Sequence, residues 1–474
     1  IPKRAFMYND WYGMGWIILD PYYGYGLYVI CGVLQGGMTT EYPRPNVMIT
    51  TPANDSYYVV GEEIKCTAEA YCDECGEINE NIVWSAIEYL AEGGEHEFPE
   101  GHGPTYFIYP PGPGRVFIEA SIECSHGGDF DEIYVTVFDA IISECNSGWL
   151  PEKDNFTDIT CRILPDDVVG EIEFDLFGIS KEPGYCLNGG KGTDKDLKFM
   201  PPQSNLSIYN RNMSAKTISD VNSQTIIVSS FDYGGYGKIK AKAKVENKVA
   251  IAHVEGNTPQ REVNIPKDDD NNYIADAWPY NEGNATDDDD NVPAGANLGD
   301  GLIRYEEYRG FMISGAHTRI NPNEKDLFIF DEDGVGLGNI GALGFTIRSI
   351  NNNEWSGIGV SKRKINFNGR NSQCGIWLDN GGDGGDITSQ ILGVCYLGTP
   401  NGLDHAIIYV DRILFHGGNP QHIDCVIAHE CGHDVNIVGD HIPGVGCIMD
   451  GELNLSIPPP TIYCPICQSQ RQIH

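Results

Sequence analysis

Gly61-Glu62-Glu63-Ile64-Lys65-Cys66-Thr67-Ala68-Glu69-Ala70 switches between apolar and polar side chains at every step from Ile64 onward. A period of two puts Ile64, Cys66, Ala68 and Ala70 on one face and Lys65, Thr67 and Glu69 on the other, the pattern of a strand with one buried face. The same grammar surrounds it. It begins after Pro45-Asn46-Val47-Met48-Ile49-Thr50-Thr51-Pro52 and runs through Val83-Trp84, Val116 to Ile122 and Ile133 to Phe138. It returns at Phe156 to Leu164, Glu171 to Ile179, Thr225 to Phe231 and Lys238 to Val245. Short strands at this spacing predict β-sandwiches over residues 41–140 and 141–262. The 57 glycines and 25 tyrosines, with few long helical periods, agree with a mainly β chain.

Residues 41–140 resemble bacterial immunoglobulin-like domains of the PKD kind. Cys66 and Cys124 stand where an inter-sheet bridge would lie, with Trp84 between them. The position two before Cys124 is Ile122, not the tyrosine of an immunoglobulin corner, so the likeness is to the sandwich class. Cys72 and Cys75 form a CxxC without a second pair at zinc-ribbon spacing, which favours a small loop disulfide over a structural zinc. His96, His102 and His126 show no ligand spacing. In the second sandwich, near Cys145, Cys161 and Cys186, nothing catalytic stands out.

At roughly 150 residues per domain, 474 residues predict about three domains. The formal net charge of −37 repels phosphate backbones and anionic membrane surfaces, which sets nucleic-acid binding aside. A hydrophobic share of 41% is enough for several cores. The 15 cysteines fit an oxidising compartment, and their odd number leaves at least one thiol free, metal-bound or paired between chains. The chain opens at Ile1 rather than Met, as a processed product would. Asn54, Asn155, Asn205, Asn212, Asn284 and Asn454 head Asn-x-Ser/Thr sequons, candidates for glycosylation. Together these predict a secreted or cell-surface protein. Residues 1–40 form an aromatic, Gly-rich arm with apolar runs at Trp16 to Leu19 and Leu27 to Leu34. Asp20 and Pro21 break it well short of the ~20 apolar residues of a membrane span. Two short strands fit, either packed on the neighbouring domain or added to another subunit's sheet to build a homo-polymer.

Residues 263–323 are the acidic segment. Asp268, Asp270, Asn272 and Asp276 occupy relative positions 1, 3, 5 and 9 of a calcium loop, with the Ile274 carbonyl at 7 and Pro279 where a glutamate would close it. A second loop has Asp300 at position 5, Gly301 at the sharp turn, the Leu302 carbonyl at 7 and Glu307 at 12. Its front half, Ala296 and Leu298, has no ligating side chain, so oxygens from the run Asp287 to Asp290, taken as Asp288 and Asp290, complete it. The segment resembles degenerate EF-hand-like calcium loops that precede secreted bacterial enzyme domains, which implies a structural Ca2+ before the last domain.

The chemistry is carried by His429-Glu430-Cys431-Gly432-His433. On a helix His429 and His433 lie one turn apart on one face and can share a Zn2+, with Glu430 placed to take a proton from a water on it. Cys447-Ile448-Met449-Asp450 follows, and Tyr463-Cys464-Pro465-Ile466-Cys467 closes the segment. This constellation resembles metzincin zinc peptidases, and its cysteines resemble archaemetzincins. The resemblance covers residues 324–474 and implies an α+β domain hydrolysing peptide bonds in a protein substrate, with Met449 as the Met-turn residue beneath the metal. The family's helix-ending glycine and third histidine fall here at Asn436 and Gly439, which moves the third ligand to His441, with Asp440 as substitute. Cys447, Cys464 and Cys467 are candidates for a structural zinc, completed by Cys431 or Cys425, or for disulfides. Cys374 and Cys395 read as a disulfide pair. The whole chain is thus expected to be two immunoglobulin-like sandwiches, a calcium-loop segment and a metzincin-like domain. The alternative is a fibre-forming surface protein whose zinc domain does not turn over.

Overall fold

The computed structural model describes residues 6–10, 13–17, 45–283, 285–291, 299–355, 364–369, 373–396, 405–435, 437, 447–450, 453 and 455–470. In the arm, Phe6–Asp10 pairs antiparallel with Gly13–Ile17, Phe6 opposite Ile17. The run Leu27 to Leu34 lies outside the described residues, as do His441, Asn284 and Asn454.

The alternating segments are strands. Ile64–Cys72 sits between Thr105–Ile108 and Pro45–Thr51, and every second residue from Ile64 to Cys72 is buried. The facing sheet contains Glu95–Glu97, Val83–Leu90, Gly114–Cys124 and Gly127–Ile142 in that order. Between the two sheets Trp84 is fully buried, donates its indole N–H to Gly103 O at 2.8 Å and stacks on Tyr106.

Gly127–Ile142 is 16 residues long, about 50 Å of strand, and serves both sandwiches. Its first part pairs with Gly114–Cys124; its last four residues pair with Phe156–Leu164 of the second sandwich. One sheet therefore runs through position 140, and the two cores lie end to end along it. The second sandwich is closed by a sheet of Leu206–Tyr209, Ser214–Thr217, Glu171–Phe177, Gly237–Val245 and Lys248–Ile251 over a core that includes Phe138, Ile159, Phe174, Phe199 and Ile239.

Past the acidic segment the chain changes architecture. Thr346–Ser349, Asp326–Asp331, Ile376–Asn380 and His405–Ile408 form a parallel sheet, with Gly393–Tyr396 antiparallel on its edge. The 15-residue helix Pro420–Asp434 packs on it through Val426, Ile427, Ala428 and Cys431 against Leu378, Ala406 and Ile408. Asn419 caps this helix by accepting the N–H groups of Gln421 and His422, and the His422 ring returns a bond to the Asn419 N–H. Among the described residues no helix is long and apolar enough to cross a membrane.

Candidate functional site

The helix Pro420–Asp434 delivers His429 and His433 to one half-buried face, where their Nε2 atoms lie 3.2 Å apart. Each ring is held from behind by a carbonyl: His429 Nδ1 lies 2.9 Å from Ile448 O, and His433 Nδ1 lies 3.0 Å from Ile437 O. A carbonyl only accepts, so both Nδ1 atoms carry the proton and both Nε2 atoms present a lone pair. Two lone pairs at that separation match two corners of a tetrahedron with Zn–N of about 2.0–2.1 Å, which spaces nitrogens by about 3.3 Å. The donor set and its tautomers fit a zinc ion. The two carbonyls, invisible in a motif search, are the outer support such sites need.

Met449 is fully buried under the helix. A Cβ at Gly432 would come 2.7 Å from its sulfur and 3.2 Å from the Tyr463 ring, so only glycine permits this approach. Tyr463 in turn donates its hydroxyl to Ala428 O. The turn at Met449 thus touches the helix at Gly432, and through Ile448 O it also sets the His429 ring.

Glu430 is buried and faces the edge strand: a Cβ at Gly393 would meet its Oε1 at 2.5 Å. Two residues on, Cys395 Sγ lies 2.8 Å from Asp434 Oδ1. Two strand residues rise about 6.6 Å and four helix residues about 6.0 Å, so strand and helix run in step here. The sequence reading assigned Cys395 to a disulfide with Cys374, and the structure separates them. Cys395 pairs with Ala406, and Ala406 pairs with Leu378, four residues beyond Cys374 and two strands away, roughly 16 Å and far past bridging distance.

The thiols of Cys447, Cys464 and Cys467 gather, with Cys464 to Cys467 at 3.6 Å and Cys447 to Cys467 at 3.8 Å. These are separations for sulfurs sharing an ion rather than a bond. Cys425 and Cys431 lie outside this group and are buried in the helix core.

In the first sandwich Cys66 and Cys124 are not brought together. Cys66 is buried in mid-strand, whereas Cys124 ends its strand 4.0 Å from Cys72, six residues or roughly 20 Å of strand away. Cys72, Cys75, Cys124 and His126 form a compact group with all four ligand atoms within 4.8 Å. The sequence reading missed His126; its signal was the Cys124-Ser125-His126 spacing, which gains meaning only when set beside Cys72-x-x-Cys75.

In the first acidic loop the oxygens accept from their own turn: Asp268 from Tyr273 N at 2.9 Å and Asn272 N at 3.1 Å, Asp270 from Asn272 N at 3.2 Å, Asn272 from Ile274 N at 2.7 Å, and Asp276 from Asp269 N at 3.3 Å. Burial pushes Asp268 up to about 6. In the second loop the inward set is displaced by one residue from Asp288 and Asp290. Asp288 lies 2.6 Å from Arg304 Nε, and Asp290 accepts the Arg304 N–H at 3.3 Å. Asp287 and Asp289 instead converge at Gly299, beside Asp300. Asp300 accepts from Leu302 N at 3.0 Å and Asp326 N at 2.9 Å. Both oxygens of Asp287 and of Glu307 are buried without a hydrogen-bond partner among the described residues. Burial, followed by the Asp300 charge, pushes Glu307 up to about 11, and burial pushes Asp287 up to about 7. Massed buried carboxylates of this kind fit a hard divalent cation, which would satisfy the oxygens and cancel the repulsion.

Of the sequons, Asn54 is exposed, and Asn155, Asn205 and Asn212 are half-buried. Asn155 is engaged with Leu150 O and Glu152 N.

No protein-family model matches the sequence, and no curated protein sequence is similar to it. Among solved structures, 44% of the chain is similar to three N-terminal domains of the highly immunogenic outer capsid protein of bacteriophage RB49, at 11% identity, 66% coverage of that chain and a TM-score of 0.24. An equal share is similar to the I67–I69 fragment of titin, at 9% identity, 64% coverage and a TM-score of 0.22. The chain thus spans just under two thirds of the length of these two. The fibronectin(III)-like modules of Clostridium thermocellum CbhA match 46% of the chain, at 13% identity, 92% coverage and a TM-score of 0.17. The strand pairings within the chain carry the architecture: a mainly β protein of several sheets, with, among the described residues, one long helix bearing two facing histidines.

Proposed function

We propose that residues 324–474 are a zinc-dependent peptidase domain of metzincin type, carried outside the cell on two β-sandwiches and joined to them by a calcium-bound segment. The observation that carries the reading is the pair His429 and His433, with both Nδ1 protons committed to carbonyls and both Nε2 atoms converging at 3.2 Å. His441, outside the described residues, is the proposed third ligand. A zinc ion bound there supplies Lewis acidity and lowers the pKa of a water toward about 7.

The chain's own residues do the rest. Glu430, next to the pair and enclosed by Gly393, accepts the proton of the attacking water and returns it to the departing amine nitrogen. Among the described residues Gly393–Tyr396 pairs on one side only, with His405–Ile408. Its other edge can take an extended peptide as an added strand, which would draw a scissile carbonyl past Glu430 and the two histidines. Met449 holds the floor and fixes His429 through the neighbouring Ile448 carbonyl. Calcium at Asp287, Asp289, Asp300, the Leu302 carbonyl and Glu307 would make the joint stiff.

The test is hydrolysis of an unfolded protein mixture by the wild type and Glu430→Gln, with zinc and calcium present. Cleavage by the wild type and loss of at least 100-fold in Glu430→Gln, with equal zinc content, is the expected result. Zinc-loaded wild type that leaves the mixture uncut overturns the peptidase reading.

A further inference from the structure

We propose that Cys72, Cys75, Cys124 and His126 form a four-ligand structural zinc site that clamps the two sheets of the first sandwich at one end. Cys72 ends the strand Ile64–Cys72, and Cys75 lies in the turn that follows. Cys124 ends Gly114–Cys124 in the opposite sheet, and His126 lies in the turn leading to Gly127–Ile142. Two hairpin tips, one from each sheet, therefore contribute two ligands apiece.

The spacing decides between an ion and a bond. Cys72 Sγ lies 4.0 Å from Cys124 Sγ and 3.8 Å from His126 Nδ1, and Cys75 Sγ lies 3.6 Å from the same nitrogen. A tetrahedral zinc with Zn–S near 2.3 Å and Zn–N near 2.0–2.1 Å spaces its sulfurs by about 3.8 Å and sulfur from nitrogen by about 3.5 Å. A disulfide draws two sulfurs to about 2.05 Å and leaves the third thiol and the imidazole unexplained. Three cysteines at one place cannot all pair with one another, which also accounts for one thiol of an odd total.

The surroundings are those of a ligand set. His126 Nε2 lies 2.9 Å from Glu74 Oε2, so that nitrogen carries the ring proton and Nδ1 turns its lone pair to the three sulfurs. The Cys72 sulfur accepts the backbone N–H groups of Cys75 and Glu74, and Cys124 Sγ accepts His126 N–H at 3.4 Å. The exposed Ser125 hydroxyl also lies 3.3 Å from Nδ1, on the solvent side. Four protein ligands close the shell and leave no position for water or substrate, so the site holds structure and does no chemistry. It does the work of the inter-sheet bridge that Cys66 and Cys124 do not make.

The experiment is zinc stoichiometry on the full chain, purified without reductant and dialysed against a competing chelator, for the wild type, Cys75→Ser, His126→Cys and Glu74→Gln. Cys75→Ser is expected to hold one zinc equivalent fewer than the wild type, and His126→Cys to keep the full number. With cobalt in place of zinc, the sulfur-to-metal charge-transfer absorption should fall in Cys75→Ser by the share of one site. Glu74 is 57% exposed and is no ligand, so Glu74→Gln reads the site even if Cys75→Ser does not fold. It is expected to lose this zinc to the chelator at least 10-fold more readily. Equal zinc content in the wild type and Cys75→Ser, or equal retention in Glu74→Gln, overturns the proposal. So does an intact mass two hydrogens light with Cys72 linked to Cys75 or Cys124. The peptidase reading stands or falls separately, because Glu430→Gln leaves this site untouched.

Discussion

Glu88 is a carboxylate in the wrong half of a strand. It lies on the core face of Val83–Leu90 with Trp84 and Ala86, fully buried, and neither of its oxygens has a hydrogen-bond partner among the described residues. Burial pushes it from the ordinary 4.5 up to about 7. Below pH 4.5 the folded and unfolded chains are both protonated, and ionisation adds nothing to the cost of burying the group. Between 4.5 and about 7 the unfolded chain ionises while the folded chain keeps its proton, so stability falls as pH rises and levels off above 7. Glu88→Gln is expected to abolish that slope and to stabilise the first sandwich by about 2 kcal/mol at pH 7.5. Hydrogen exchange of the Val83–Leu90 amides at pH 5 and 7.5 reads it, once corrected for the intrinsic pH dependence of exchange; a slope surviving in the variant would refute it. The alternation Trp84, Ala86, Glu88 is already visible in the sequence, so this misfit was legible at the level of one residue. The role of His126 was not, because two of its partners, Cys72 and Cys75, are 54 and 51 residues upstream and only strand pairing brings them near.

Elements were readable where period and caps agree, and less so where function depends on a close approach between two of them. The helix carrying His429 and His433 follows from its motif. What the motif does not reveal is why its fourth residue is Gly432. A methyl there gains roughly 1 kcal/mol of helix propensity but must displace the buried Met449 sulfur at 2.7 Å, an overpacking cost of about 1–3 kcal/mol. The clash outweighs the propensity because Tyr463 blocks the adjacent space. Gly432→Ala is therefore expected to lower stability by about 1 kcal/mol and to weaken zinc retention, since Ile448 O moves with Met449. Were the variant as stable and as well loaded as the wild type, the Met449 turn would not be positioning His429. The second acidic loop makes the same point. Four consecutive aspartates, Asp287 to Asp290, announce a cation but not which pair faces it. In irregular backbone no period fixes the parity, and Arg304 draws off Asp288 and Asp290.

At the scale of the molecule, that loop is where the sandwiches and the histidine-bearing body meet. The short helix Arg304–Arg309 follows it, and Arg309 is buried against Asp232 of the second sandwich, Nη2 to Oδ2 at 2.6 Å, while also donating to Asn368 O at 3.1 Å. Asp300 accepts the Asp326 N–H at the start of the parallel sheet, and Gln373 donates to Asp300 O. Asn188 reaches across to Met312 O and Glu354 O, both at 2.8 Å. Two of these contacts, from Asp326 and Gln373, end on Asp300, which belongs to a group of carboxylates that repel one another when ionised. A cation bound among them would replace the protons that burial keeps on Glu307 and would tie the joint together. At a calcium concentration 100-fold above its dissociation constant, binding adds about 2.7 kcal/mol. Limited proteolysis in calcium should leave the joint intact, and chelation should open cuts in 285–323 while both sandwiches survive. Glu307→Gln, which keeps the shape and removes a charged ligand, should be cut in either condition. Equal resistance with and without calcium in the wild type would mean that protons, not a metal, neutralise Asp287 and Glu307. The resistance would then weaken as the pH rises through about 7, where Asp287 loses its proton, which a second digestion at pH 9 would reveal.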